Sequence, residues 1–219
     1  MFTFVNTEGG GGGVTPCAER MAHRIPPLSG GGWLDRTIGA ALAPGAAAVL
    51  ARRIAEAAGD AALVLDVGCG ASSPMIAAGV RAIGIDIRPA AAKAHARSAP
   101  AAAADATALP FADAAFDLVW SCGLLHHLDD DAAAAAISEM LRVTAPGGRT
   151  IVFDGVWPAP AWRRPLAALI RAADRGRHMR TETALAALLP AGRGWRRERI
   201  RYAATGLEGL WCERLKEVA

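Results

Sequence analysis

The chain has 219 residues, of which 53% are hydrophobic and 21% charged, and it carries a formal net charge of +3. That length suits one domain with a large core, and no apolar run approaches the roughly 18 residues of a membrane span. Four cysteines show neither a C-x-x-C pair nor metal-ligand spacing with histidine, so reduced thiols in a cytoplasmic protein and no metal site are expected.

Basic charge is concentrated late in the chain. Residues 162–219 hold 13 basic and 6 acidic side chains, against 11 and 15 before them. An anionic partner should therefore meet the C-terminal quarter.

In chain order, residues 1–32 contain two glycine runs, at 9–13 and 30–32, and the pair Pro26 and Pro27. Such a composition buries little apolar surface, and a flexible arm is expected. It lacks a basic stretch leading into an apolar core, so no signal peptide is expected. Residues 33–219 read as a single domain. Helical structure is predicted over 33–59, where Pro44 fits a helix first turn, Val49, Leu50 and Ile54 make one apolar face, and Gly59 is the stop.

The stretch 63–86 is the most informative. Leu63, Val64 and Leu65 form an apolar run suited to a strand buried on both faces, predicted over 61–67. Asp66, Gly68 and Gly70 follow, then a helix over 72–78 and a second strand over 81–86 ending in Asp86. Glycines at a strand end let the backbone turn tightly and approach a ligand, with the next helix presenting free N–H groups. An acid about 20 residues later stands where such folds grip a ribose diol. These features make a nucleoside-binding βαβ unit. A dinucleotide fingerprint needs glycine at the position of Ser73, and the carboxylate of Asp66 would repel a pyrophosphate.

A helix follows over 88–97, then a strand over 101–105, placed by position because alanine favours helix. A fourth strand over 116–121 leads into the segment 124–128. Next comes a helix over 129–143, capped by Asp129 and complemented by Asp130, Asp131 and Arg142. Ala145, Pro146, Gly147 and Gly148 are predicted to stop it before a fifth strand over 149–154. Helices over 157–173 and 181–189 come next, the first with Trp162, Leu166, Leu169 and Ile170 on one face. The end is a strand pair over 196–202 and 207–215. The alternation implies an α/β, Rossmann-like doubly wound sheet, mostly parallel with a C-terminal antiparallel hairpin.

Asp66-x-Gly68-x-Gly70 followed by Asp86 resembles the class I S-adenosylmethionine-dependent methyltransferases, of the small-molecule, methyltransferase type 11-like kind. The resemblance extends over about 36–155, with Ser72 where the family pattern has a third glycine. It implies that the strand ends bind S-adenosylmethionine, with Asp66, Gly68, Cys69 and Gly70 at the first and Asp86 and Ile87 at the second. Asp86 would hold the ribose hydroxyls. Asp105 and Ala106, at the third strand end, would meet the adenine, with Leu109, Pro110 and Phe111 shaping its wall. A plain turn role for Asp105 stays open. Cys122 would run beside the methionine part. His127 occupies the family's retained histidine position and is either a base that deprotonates an acceptor hydroxyl or a brace for its loop.

The resemblance further implies methyl transfer to an O or N atom of a small-molecule or lipid-like acceptor, with an acceptor-side insertion at about 156–192. Asp154 either faces that acceptor or caps a turn. Arg163, Arg164, Arg171, Arg175, Arg177 and Arg180 crowd the insertion. Arg163 and Arg164 are candidates to bind an anionic acceptor. A solvated face and an interfacial helix on an anionic membrane are the other readings of this insertion. The arginines are not interleaved with aromatic residues as nucleic acid binding would need. A nicotinamide-dependent oxidoreductase and a non-catalytic S-adenosylmethionine-binding scaffold remain open at this point, as does the oligomeric state.

Overall fold

A computed structural model describes residues 46–174, 176–191, 194–202 and 205–217; the glycine-rich arm and Pro44 lie outside them. The elements in order are α1 (Ala46–Ala58), β1 (Val64–Val67), α2 (Pro74–Ala77), β2 (Ile83–Asp86), α3 (Pro89–His95), β3 (Ala101–Ala103) and β4 (Phe116–Cys122). There follow α4 (Asp130–Val143), β5 (Thr144–Val156), α5 (Pro165–Ala172), α6 (Glu182–Ala187), β6 (Trp195–Arg201) and β7 (Glu208–Leu215). Short 3-10 turns cover Leu125–His127 and Ala161–Arg163.

The strands form one seven-stranded sheet in the order β3-β2-β1-β4-β5-β7-β6, parallel throughout except for β7, which runs antiparallel to both β5 and β6. Strand order reverses between β1 and β4, and a crevice opens at their carboxyl ends, the place where open α/β sheets bind ligands.

Alternation along each central strand divides the core in two. Leu65, Val67, Val119 and Val152 face one layer, where Ile137 and Met140 of α4 cover them. Val64, Leu118, Trp120 and Ile151 face the other, with Ile54 of α1, Met75 of α2 and Trp211 of β7. The Trp120 and Trp211 rings lie 5.3 Å apart. On α1, Ile54 is buried and Leu50 half-buried, whereas Val49, expected on the same apolar face, is exposed. Gly59 ends the helix at a φ of +48°.

Two predicted boundaries move. The Ala-Pro-Gly-Gly run does not separate α4 from β5: the helix passes straight into the strand at Thr144, whose hydroxyl donates to the Met140 carbonyl. The two glycines form a bulge instead. The pairing with β4 jumps from Phe116↔Thr144 to Leu118↔Arg149, and a Cβ on Gly148 would lie 2.8 Å from the Asp117 carbonyl. After β5, only Pro165–Ala172 is α-helical within the predicted 157–173. Proline at 158, 160 and 165 removes donors and fixes φ, so regular helix begins only with Pro165 in its first turn.

Candidate functional site

Four strand ends converge on one pocket of about 730 Å³, within the range of small-molecule sites. Asp66, Gly68, Cys69 and Gly70 line it from β1, Asp86 and Ile87 from β2, Asp105 and Ala106 beyond β3, and Cys122 and His127 from β4 and the turn after it. The structure thus brings every cofactor residue expected from sequence into one crevice, together with His127.

Local chemistry explains the placement. Asp66 is the last but one residue of a strand buried along its whole length, and only 2% of its surface is exposed. Its Oδ2 has no hydrogen-bond partner in the protein. Burial pushes its carboxyl up to about 7, with the Ser73 hydroxyl opposing the shift and the Asp86 charge adding to it. A buried carboxylate oxygen left without a donor is costly unless a ligand supplies one.

Gly68 and Gly70 hold φ values of +76° and +60°, which only glycine adopts without strain. A Cβ on Gly68 would meet the Leu124 side chain at 3.0 Å. One on Gly70 would meet nothing within 4 Å, so Gly70 keeps open the space beside the pocket.

Asp86 fastens this glycine turn. Its Oδ2 accepts from the Gly70 N–H at 3.0 Å, and its Oδ1 accepts from the N–H and Nε of Arg88 at 2.9 and 3.2 Å. These bonds use three of about four lone-pair sites of the carboxylate. A ribose diol would then displace the part-exposed Arg88 side chain, a neighbour that the sequence did not single out. Asp105 accepts from both the N–H and the hydroxyl of Thr107, the turn role left open from sequence, while remaining at the pocket wall. Leu109 and Phe111 turn away into the core, where Phe111 stacks edge-on against Phe116 at 5.0 Å. Ala104 and Ala106 form the wall in their place.

The two histidines divide. His126 turns from the pocket to Asp154, its Nδ1 at 2.5 Å from the carboxylate. Burial alone would lower its pKa, but the hydrogen bond and charge of Asp154, with Asp174 beyond, outweigh that and raise it. His127 lines the pocket with its ring 4.1 Å from that of His126. Burial, then the His126 charge, push it down to about 4, leaving a neutral imidazole at neutral pH. Burial also raises Cys69, to about 12, and drives Cys122 well above the ordinary thiol range, so neither supplies a thiolate. No metal-ligating cluster occurs among the described residues.

Three expected acceptor residues lie elsewhere. Asp154 is buried behind the pocket, where it accepts from the N–H groups of Leu125, His126 and Gly155 as well as from His126 Nδ1. It holds the loop that carries His127. Arg164 pairs with the buried Glu208, and Arg163 lies 4.8 Å over the Trp162 ring at the surface. The insertion reaches the pocket instead through Arg177 and His178. No sequence signal pointed to His178, whose N–H donates to the His126 carbonyl at 3.0 Å. Arg180 binds the carbonyls of Leu125 and Leu128 at 2.6 and 2.8 Å and so fixes the same loop.

A crevice at the switch point with a donor-seeking carboxylate, a glycine turn and acids at three strand ends is the arrangement that the resemblance to class I S-adenosylmethionine-dependent methyltransferases implies. Residues 65–152 match the family model described as a methyltransferase domain. Tocopherol O-methyltransferase, chloroplastic, of Arabidopsis thaliana is 42% identical over 102 residues, 41% of this chain and 29% of that protein. The 2-methyl-6-phytyl-1,4-hydroquinone methyltransferase of Synechocystis is 38% identical over 121 residues, 47% of this chain and 37% of that protein. The matched stretches thus span about a third of those relatives' own length. Geranyl diphosphate C-methyltransferase from Streptomyces coelicolor A3(2) shares the fold, with a TM-score of 0.60 at 15% identity over 77% of this chain and 80% of that one.

Residues 65–152 thus match a methyltransferase domain, and the comparisons support S-adenosylmethionine as its cofactor. The nicotinamide reading falls with this. Ser73, at the position where its fingerprint needs glycine, instead caps α2 by accepting from the Met75 N–H at 3.0 Å.

Proposed function

We propose that this chain catalyses methyl transfer from S-adenosylmethionine to an O or N atom of a small, lipid-like acceptor. The observation that carries the reading is the buried, unpartnered Asp66 Oδ2 in the same pocket as Asp86, Asp105 and a neutral His127. When bound, the sulfonium supplies an already activated methyl group, so no covalent enzyme intermediate is needed.

The chain's own residues bind, align and dry the reactants. Asp66 takes the cationic end of the methionine moiety and Asp86 the ribose, while Gly70 leaves room for both. Asp105 and Ala106 receive the adenine, and Cys122 lines the path between. His127 accepts the proton of an acceptor hydroxyl at its free imidazole nitrogen, and Asp154 acts at one remove by holding the loop. An amine acceptor would need no such base.

A lipid-like acceptor is supported by the names of the two relatives, which act on a tocopherol and a phytyl hydroquinone, and by the apolar residues Ile85, Ile87, Leu124 and Leu128 in the pocket wall. The test is S-adenosylhomocysteine production with a panel of phenols, prenylated hydroquinones, sugars and amines. The reading expects turnover with at least one prenylated phenol or hydroquinone and none with sugars. Tight cofactor binding with no turnover across the whole panel would favour a non-catalytic scaffold.

A further inference from the structure

Helix α5 is built inside out. A surface helix normally turns its apolar stripe inward and its charges to water. Here Ala167 is fully buried, and on the same face Arg164 ion-pairs with the buried Glu208 while Arg171 donates to the Glu208 carbonyl at 2.6 Å. A Cβ on Gly155 would come within 2.6 Å of the Arg171 guanidinium, so that face is seated closely on β5. The large apolar side chains point the other way: Trp162 is 75%, Leu166 53% and Leu169 67% exposed. Leu166 and Leu169, three apart on α5, share one stripe, and Trp162 stands exposed in the 3-10 turn just before it; clustered exposed apolar side chains of this kind mark an interaction site.

Charge identifies the partner. Residues 155–173 contain no acid, and of their three arginines Arg164 and Arg171 turn inward to Glu208 while Arg163 stays at the surface. Arg163 caps the exposed Trp162 ring, and Arg177 stands exposed at the pocket rim. An exposed indole and leucines in a segment free of acids, with a guanidinium over the indole, match the interface of an anionic bilayer, where the indole and leucines enter the headgroup boundary and the guanidinium meets lipid phosphate.

The position in the fold agrees. Glu208, which anchors α5, pairs with Val156 at the carboxyl end of β5, the edge of the sheet that carries the pocket. The chain leaving α5 returns to that pocket through His178. No helix among the described residues is long and apolar enough to cross a membrane, so contact through this face would be peripheral.

We propose that the exposed apolar face of Trp162, Leu166 and Leu169, with Arg163 over the indole and Arg177 at the pocket rim, docks the protein on an anionic lipid surface with its pocket mouth beside the bilayer. This goes beyond the assignment of the methyl-transfer reaction and does not depend on it.

The test is sedimentation of the full chain with vesicles of phosphatidylcholine alone or mixed with phosphatidylglycerol. The chain should bind the anionic vesicles at least tenfold more tightly than the neutral ones, and added salt should weaken that binding. The triple variant Trp162→Ala, Leu166→Ser, Leu169→Ser should lose at least tenfold of it, and Arg163→Glu several-fold. S-adenosylhomocysteine affinity, which reports a folded pocket, should stay unchanged in both variants. The proposal is overturned if the parent chain ignores anionic vesicles or if the triple variant binds them as the parent does. It is also overturned if the parent is a dimer that the triple variant turns into a monomer, since a second copy would then be the occupant.

Discussion

Replacing Asp66 by asparagine should make the protein more stable and worse at binding its cofactor. The folded state holds the Asp66 proton far more tightly than the unfolded chain, because burial raises the carboxyl from an ordinary 3.8 to about 7. That difference corresponds to on the order of 4 kcal/mol. The sign follows from which state binds the proton. The favourable contribution of the protonated acid is complete below about pH 4 and is lost as pH rises through 7, so at pH 8 a buried carboxylate weighs on the fold. The asparagine side chain carries no such charge. The variant should melt roughly 8–16 °C above the parent at pH 8, given about 2–4 °C per kcal/mol for a chain of this size, and only about 3–6 °C above it at pH 5, where about 1.6 kcal/mol of the cost remains. Calorimetry should show the parent binding S-adenosylhomocysteine about tenfold more tightly at pH 8 than at pH 6, because a cationic ligand needs the ionised acid. The variant should be at least tenfold weaker at pH 8, with a flat profile. Equal melting differences at pH 5 and pH 8, or a pH-independent affinity in the parent, would refute the reasoning.

Three further changes probe separate parts of the site. Gly70→Ala forces an L residue to a φ of +60° and places a methyl group in the pocket; thermal shifts should show a stability loss of about 1–2 kcal/mol and little stabilisation by added S-adenosylhomocysteine. His127→Asn should cut kcat with a hydroxyl acceptor by about a hundredfold while cofactor affinity stays within about threefold, and an unchanged kcat would make His127 a brace. Arg180→Ala removes the bonds to the Leu125 and Leu128 carbonyls; urea unfolding should register a loss of about 2–4 kcal/mol.

What was legible in the sequence depended on how local its cause is. β1 stands out because Leu63, Val64 and Leu65 make the apolar run of a strand buried on both faces, Asp66 stands out as the charge that follows it, and β4 is marked by Val119 and Trp120. The cap of α4 by Asp129 and the antiparallel β6–β7 pair were equally visible, since each rests on near neighbours. Gly147 and Gly148 misled because a glycine pair that stops a helix and one that forms a bulge look alike; only the Asp117 carbonyl across the sheet decides. Asp154 and Arg180 bond to groups 28 to 55 residues away, and no spacing announces such partners. The apolar set on α5 was readable, but its outward orientation was not, because that depends on Glu208 being buried beneath Arg164.

The central claim is that the crevice at the ends of β1, β2 and β4 holds S-adenosylmethionine rather than a dinucleotide. Titration calorimetry of the full chain with S-adenosylhomocysteine and, in parallel, with NAD addresses it directly, with Asp86→Ala as the second protein. Binding of S-adenosylhomocysteine alone is expected, weakened at least tenfold by Asp86→Ala, because losing a charged partner of two hydroxyls costs more than about 1.4 kcal/mol. Binding of NAD, or full S-adenosylhomocysteine affinity in a folded Asp86→Ala variant, would contradict it.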